Sequence, residues 1–360
     1  MTQTDTLPLM DPVSPTPSTL PVNAGSRGWK VFYAGLMIFA AFSGFSISGM
    51  QIGLGIAFLG WCFCRWGEEV ECKPVPFAWP YMALFAVSVL SLTNAVDLWR
   101  GFTELKKYLI IIVFLMPFSA RFSETQWKRL LALLVFSGAL AGGIGLAGSI
   151  KNMLAQAQDF RARGFYSMSI TFGECQAMFL LLTLSWIKAN LTYAKSNRWL
   201  WPAAILQFIG LLSSYSRGAF IGFGVGLVLL IGPNWKRLVA IFAVLGLVII
   251  AAAGIFRPNL DVYQVESQKP QSIGGNLRWS IWKNGLSFWQ QFPLLGVGLN
   301  NIKPHYKAFL KDHPDWPDKE AYGHLHNNFL QFLVMTGILG LLTFVWLVLA
   351  IGKYAYYAWG

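Results

Sequence analysis

Long apolar runs separated by short polar links dominate this chain. Runs long enough to span a bilayer fall at about 29–45, 47–65, 77–93, 106–120, 128–149, 169–187, 198–213, 218–232, 236–256 and 327–352. They predict an all-α polytopic membrane protein with about ten transmembrane helices. Residues 1–28 carry Pro, Ser and Thr and no apolar run. They predict a disordered cytoplasmic tail, not a cleavable signal peptide. Nine of the expected spans occupy 29–256, and the last lies within 326–360. Between them, 257–325 is far longer than any other connection, and connections of that length are usually functional or unstructured. Within it, Trp279, Trp282, Phe288 and Trp289 recur at helical spacing and predict an amphipathic helix at 276–291 lying on the membrane surface. The run Pro293–Gly298 breaks that helix, and a polar stretch at 303–320 follows.

Composition agrees with the periodicity. The chain is 55% hydrophobic and 12% charged, about half the charge of a soluble domain. The net charge of +12 does not point to nucleic acid, because membrane proteins collect Lys and Arg in cytoplasmic loops. With the N-terminus inside, most Lys and Arg of the short loops fall on the inner side, and the 257–325 segment faces outward. Cys62, Cys64, Cys72 and Cys175 are read as buried thiols, neither a disulfide framework nor a metal cluster.

Polar residues that defy this pattern are the candidates for chemistry. His326 and Asn327 stand at the lip of the last apolar run, a costly place for an imidazole without a function. At 100° per residue, Gly337 returns to within about 20° of His326, and Gly340 falls about 40° to the other side. The spacing predicts that His326, Gly337 and Gly340 line one face of one helix, with the glycines admitting a neighbouring backbone. Arg161, Arg163, Arg217 and Arg278 are all placed near the outer surface. Guanidinium forks pair with phosphate oxygens, so the set suggests a lipid-linked phosphate or diphosphate. The bland reading is contact with lipid head groups or a carboxylate such as Glu174. Glu174 is the one acid deep in an apolar run, and it is expected to pair with an arginine or a polar neighbour. Tyr215 is a candidate for stacking on a sugar. A zinc site built from His324, His326, His305 and His313 is the weaker reading, because the spacing is unlike a helical histidine pair.

These stretches resemble the O-antigen ligase and polymerase superfamily of membrane glycosyltransferases. The resemblance rests on Arg161–Ser167 followed by Thr171–Glu174, on Ser214-Tyr215-Ser216-Arg217-Gly218, on Arg278-x-x-x-Trp282 leading into Pro293–Gly298, and on His326-Asn327-x9-Gly337-x-x-Gly340. The family has about twelve spans, and this chain stops at Gly360, which suggests a short member or a truncated sequence. The sequence leaves open whether Arg161 or Arg163 fills the family's arginine position. The resemblance implies a glycan donor carried on undecaprenyl diphosphate, no cofactor or metal, and an inner-membrane protein whose site faces the periplasm. Its acceptor would be a lipid A–core sugar, with a lipid-linked repeat unit or a protein as alternatives.

Physical chemistry is consistent with that implication. A diphosphate is already a good leaving group, so cations rather than an acid must stabilise its departure. Arg217 and Arg278, with Arg161 or Arg163, are candidates for this task. A base must take the acceptor hydroxyl proton, and His326 is the candidate because imidazole exchanges a proton near neutral pH. Asn327 is expected to orient a sugar or phosphate. A transporter is the rival class, but clustering of the polar groups at one membrane face argues against alternating access.

Overall fold

The computed structural model describes residues 26–67, 75–157, 159–189, 197–231, 275–313 and 323–359. The N-terminal tail up to residue 25, Cys72 and the span expected at 236–256 lie outside them. Among the described residues there are helices and no strands. They are α1 (Arg27–Phe42), α2 (Ile47–Trp66), α3 (Ala78–Ser91), α4 (Leu98–Leu105), α5 (Ile111–Ser119), α6 (Glu124–Leu154), α7 (Ser169–Ala189), α8 (Leu200–Ser213), α9 (Arg217–Ile231), α10 (Gly275–Gln291), α11 (Ile302–Asp312) and α12 (Asn328–Trp359). Every apolar run expected to span, apart from 236–256, is helical here. Four of these helices are long and apolar enough to cross a membrane: α2, α6, α7 and α12; α8 and α9 are shorter apolar helices. Outward-facing side chains are apolar, with Phe63 65%, Ile221 68% and Leu229 75% exposed. Such surfaces suit lipid and not water.

Two packed groups matter for the site. In the first, α6 packs against α1, α7 and α8, and α7 also packs against α8 and α9. A core of Val135, Ala139, Leu180, Leu211, Ala219 and Phe223 fills their junction. Buried amides join the helices: Gln207 Nε2 donates to the Val135 carbonyl at 2.9 Å, and the Thr183 hydroxyl donates to Gln207 Oε1 at 2.8 Å. Such bonds hold apolar helices together where lipid offers no hydrophobic drive. α6 starts at a capping box in which Ser123 and Gln126 satisfy each other's N–H groups. Its 31 residues make it about 46 Å long, longer than a hydrocarbon core of about 30 Å.

In the second group, α12 packs against α3 and α10. Ile281 and Phe288 of α10, Tyr306 of α11, and Val297, Leu325 and Val334 form one core. α10 is the helix expected at 276–291. The helix forms, but its apolar face is covered by protein, while Trp279 stays 66% exposed. The polar stretch after it is also partly helical, as α11. Cys62, Cys64 and Cys175 are in no disulfide.

Candidate active site

His326 is not on a helix. α12 begins at Asn328, and His326 precedes it with φ +53°, a left-handed backbone uncommon outside glycine. Its neighbours hold it there. Leu325 is buried at 2% exposure, its carbonyl accepts the Trp282 indole N–H at 2.7 Å, and its N–H donates to Gln331 Oε1 at 2.8 Å. On the other side, Asn327 Oδ1 accepts the N–H groups of Phe329 and Leu330 at 3.0 and 3.2 Å. Asn327 is therefore the cap of α12, its side-chain oxygen serving the helix end. The imidazole between these anchors is exposed. Trp282→Phe removes the one indole bond and leaves the aromatic packing. A buried hydrogen bond is worth about 1 kcal/mol, so turnover is expected to fall by about tenfold or less, with normal yield of folded protein, in a single-turnover assay.

The one-face reading of His326, Gly337 and Gly340 also fails, because α12 breaks at Gly337 (φ +67°, ψ −169°). A break strands backbone groups that must find partners. The turn after α10 supplies them. Ile338 N–H donates to the Pro293 carbonyl at 2.9 Å and Leu339 N–H to that of Leu294 at 3.4 Å. In return, Val297 N–H donates to the Val334 carbonyl at 2.9 Å and Gly298 N–H to that of Met335 at 3.0 Å. Close backbone approach at Gly337 is thus observed, and the partner is the 293–298 turn. A Cβ on Gly337 would lie 2.5 Å from Leu295 N and nearer still to the Leu294 carbonyl. Gly340 behaves differently, since a Cβ there would strike Thr336 of its own helix. The far side of the turn is pinned by Asn301, whose Oδ1 accepts the Asp97 N–H at 2.7 Å and whose Nδ2 donates to the Asp97 carbonyl at 3.0 Å.

The arginines gather in the first group. Ser214, Tyr215 and Ser216 make the reversal between α8 and α9. The Ser214 hydroxyl donates to the Leu211 carbonyl at 2.7 Å, Tyr215 adopts φ +50°, and Ser216 N–H donates to Ser214 Oγ at 3.2 Å. Arg217 follows as the first residue of α9 and is exposed. Tyr215 packs edge-on against Phe160 (5.3 Å, 89°), and burial pushes its phenol pKa up. Residues 159–163 lie beside this turn outside any helix, with Ala162 N–H donating to the Ser213 carbonyl at 2.8 Å. Ser149 and Asn152, at the C-terminal end of α6, hold the same stretch by donating to the carbonyls of Phe160 (2.6 Å) and Asp159 (3.3 Å).

Asp159 is the residue the sequence reading missed. Arg161 Nε and Nη2 donate to its carboxylate at 3.0 and 3.4 Å, and Arg163 Nη2 donates to it as well. Partial burial pushes this carboxyl up, but the Arg161 and Arg163 side-chain bonds and the Arg161 N–H outweigh burial and hold it at about 2. The depressed value means that the cluster's stability is fully present above the ordinary carboxylate range and is lost as pH falls toward 2. A signal was available, because Asp159, Arg161 and Arg163 alternate and alternation puts side chains on one face of an extended segment. Glu174 does not take the expected role. It is exposed on α7 and makes no ion pair among the described residues.

Arg278 falls at the start of α10, and its side chain lies outside the described residues. His305 bonds the Asn94 carbonyl at 2.9 Å, and His313 stacks on Phe309 at 4.1 Å. No three His, Cys, Asp or Glu residues among those described are grouped to hold a metal ion. The structure thus unites Arg161, Arg163, Arg217 and Tyr215 in one place, and His326, Asn327 and Gly337 in another.

Residues 202–345 match the family model described as O-antigen ligase. That stretch takes in Arg217, Arg278, His326, Asn327, Gly337 and Gly340, and begins after Arg161, Arg163 and Glu174. No curated protein matches the chain.

Proposed function

We propose, from the match of residues 202–345 to the O-antigen ligase family model, that the chain is a membrane glycan-transfer enzyme with a specific reaction. The protein moves a glycan from undecaprenyl diphosphate to a hydroxyl of the lipid A–core, at the periplasmic face of the inner membrane. His326 takes the acceptor proton, the acceptor oxygen bonds to the sugar anomeric carbon, and the bond from that carbon to the diphosphate breaks. The electron pair leaves on the diphosphate. One attack opposite one leaving group inverts the anomeric configuration.

One observation supports this reading most directly: an exposed imidazole in a left-handed backbone, anchored on both sides by Leu325 and Asn327. Such conformations persist only where surrounding structure imposes them, and they cluster at working sites. Arg217 is the guanidinium best suited to the leaving diphosphate. It is exposed and makes no ion pair among the described residues, and it sits at the positive end of α9. Arg161 and Arg163 reach a diphosphate only in company with Asp159. Arg278 completes the proposed set. Glu174 has no part in this reaction.

The test is transfer by purified protein in liposomes holding a polyprenyl-diphosphate glycan and lipid A–core, with the product's anomeric configuration read by NMR. Inverted glycosylated core is expected. Retained configuration would refute the single displacement. Polymer growing on the lipid carrier, with bare core, would assign the chain to the polymerases instead.

A further inference from the structure

We propose that Asp159 is a positioning residue that holds Arg161 and Arg163 as one prepared anion-binding fork. The inference rests on the diphosphate reading above and adds a residue to it. Asp159 lies beneath the arginines: its side chain is 29% exposed, against 45% for Arg161 and 50% for Arg163. It takes two donors from Arg161, one from Arg163 and the Arg161 N–H. The carboxylate cannot swing away cheaply, because its own backbone is fixed. The Asp159 carbonyl accepts from Asn152, the next carbonyl accepts from Ser149, and Ala162, 1% exposed, is docked on Ser213. The segment thus holds two half-exposed forks against a seated acid, one residue from the Phe160 ring that packs on Tyr215.

Two effects of the acid oppose each other. Its charge repels an incoming diphosphate, but water screens that repulsion at half-exposed groups. Its bonds order two long side chains before substrate arrives, and the cost of ordering such chains on binding is otherwise felt in full. Ordering is expected to dominate, so loss of the carboxylate weakens donor binding even though it raises local positive charge.

The experiment uses full-length protein in liposomes, with initial rates measured against polyprenyl-diphosphate glycan. Asp159→Asn is expected to raise the donor KM about tenfold or more with kcat within about twofold, and Asp159→Glu to recover part of the loss. Arg161→Ala and Arg163→Ala are expected to cost less in the Asp159→Asn background than alone. Should Asp159→Asn fail to give monodisperse protein, Asn152→Ala loosens the same segment and is expected to shift KM in the same direction. An unchanged or lowered donor KM in the Asp159 variants, while the arginine variants lose donor binding, overturns the positioning role and leaves the proposed function standing. Absence of transfer by the unmodified protein overturns the proposed function itself.

Discussion

His326→Ala is expected to reduce glycan transfer by about 10²–10⁴-fold, the usual contribution of a positioned general base, with the donor KM little changed. The prediction is sharp because the imidazole does no visible structural work. Its flanks do that work: Leu325 is inserted in the core, Trp282 and Gln331 hold the Leu325 backbone, and Asn327 caps α12. His326→Gly is expected to be equally inactive yet more stable by about 1 kcal/mol, because glycine adopts φ +53° without the left-handed penalty. A thermal melt in detergent beside a transfer assay reads both quantities. Gain of stability with loss of turnover is what strain held for function predicts. Full turnover by either variant would remove the histidine from the chemistry.

Gly337→Ala is expected to be the most damaging single-methyl change in the described chain. The position combines φ +67° with ψ −169°, a region open to essentially glycine alone, at a strain of about 1–3 kcal/mol for other residues. Overpacking against the 293–298 turn adds about 1–3 kcal/mol more. The two together threaten the four backbone bonds exchanged between the turn and α12. We expect little folded protein at growth temperature, measured as monodisperse yield after membrane extraction. Gly296→Ala should do the same from the other side, since a Cβ there lies 2.5 Å from both the Val334 carbonyl oxygen and the Met335 carbonyl carbon. Normal yield and melting for Gly337→Ala would mean that the break in α12 is not needed for the fold.

Helix type was legible in the sequence. The apolar runs are long enough to fix helix by length and composition, because a backbone in lipid must satisfy its hydrogen bonds within the segment. Motifs whose chemistry is local were equally readable. Ser214 and Ser216 can close one helix and open the next with their own hydroxyls, so the turn that displays Arg217 follows from four adjacent residues. At Gly337 a close backbone approach is present, but it comes with a break in the helix. A regular helix was extrapolated through a residue where the helix stops, and that moved His326 and Asn327 onto a face they do not occupy.

What the chain alone determined is therefore its class, its helices and the identities of the unusual polar residues, all set by interactions within a few positions. Tertiary structure decided the rest. The break at Gly337 exists because a turn about forty residues upstream provides partners for the freed backbone groups. The segment that carries Arg161 and Arg163 is seated against the end of α8 because the Ser213 carbonyl accepts the Ala162 N–H. Each of these depends on which distant backbone arrives to complete a hydrogen bond, and a helical period carries no information about that.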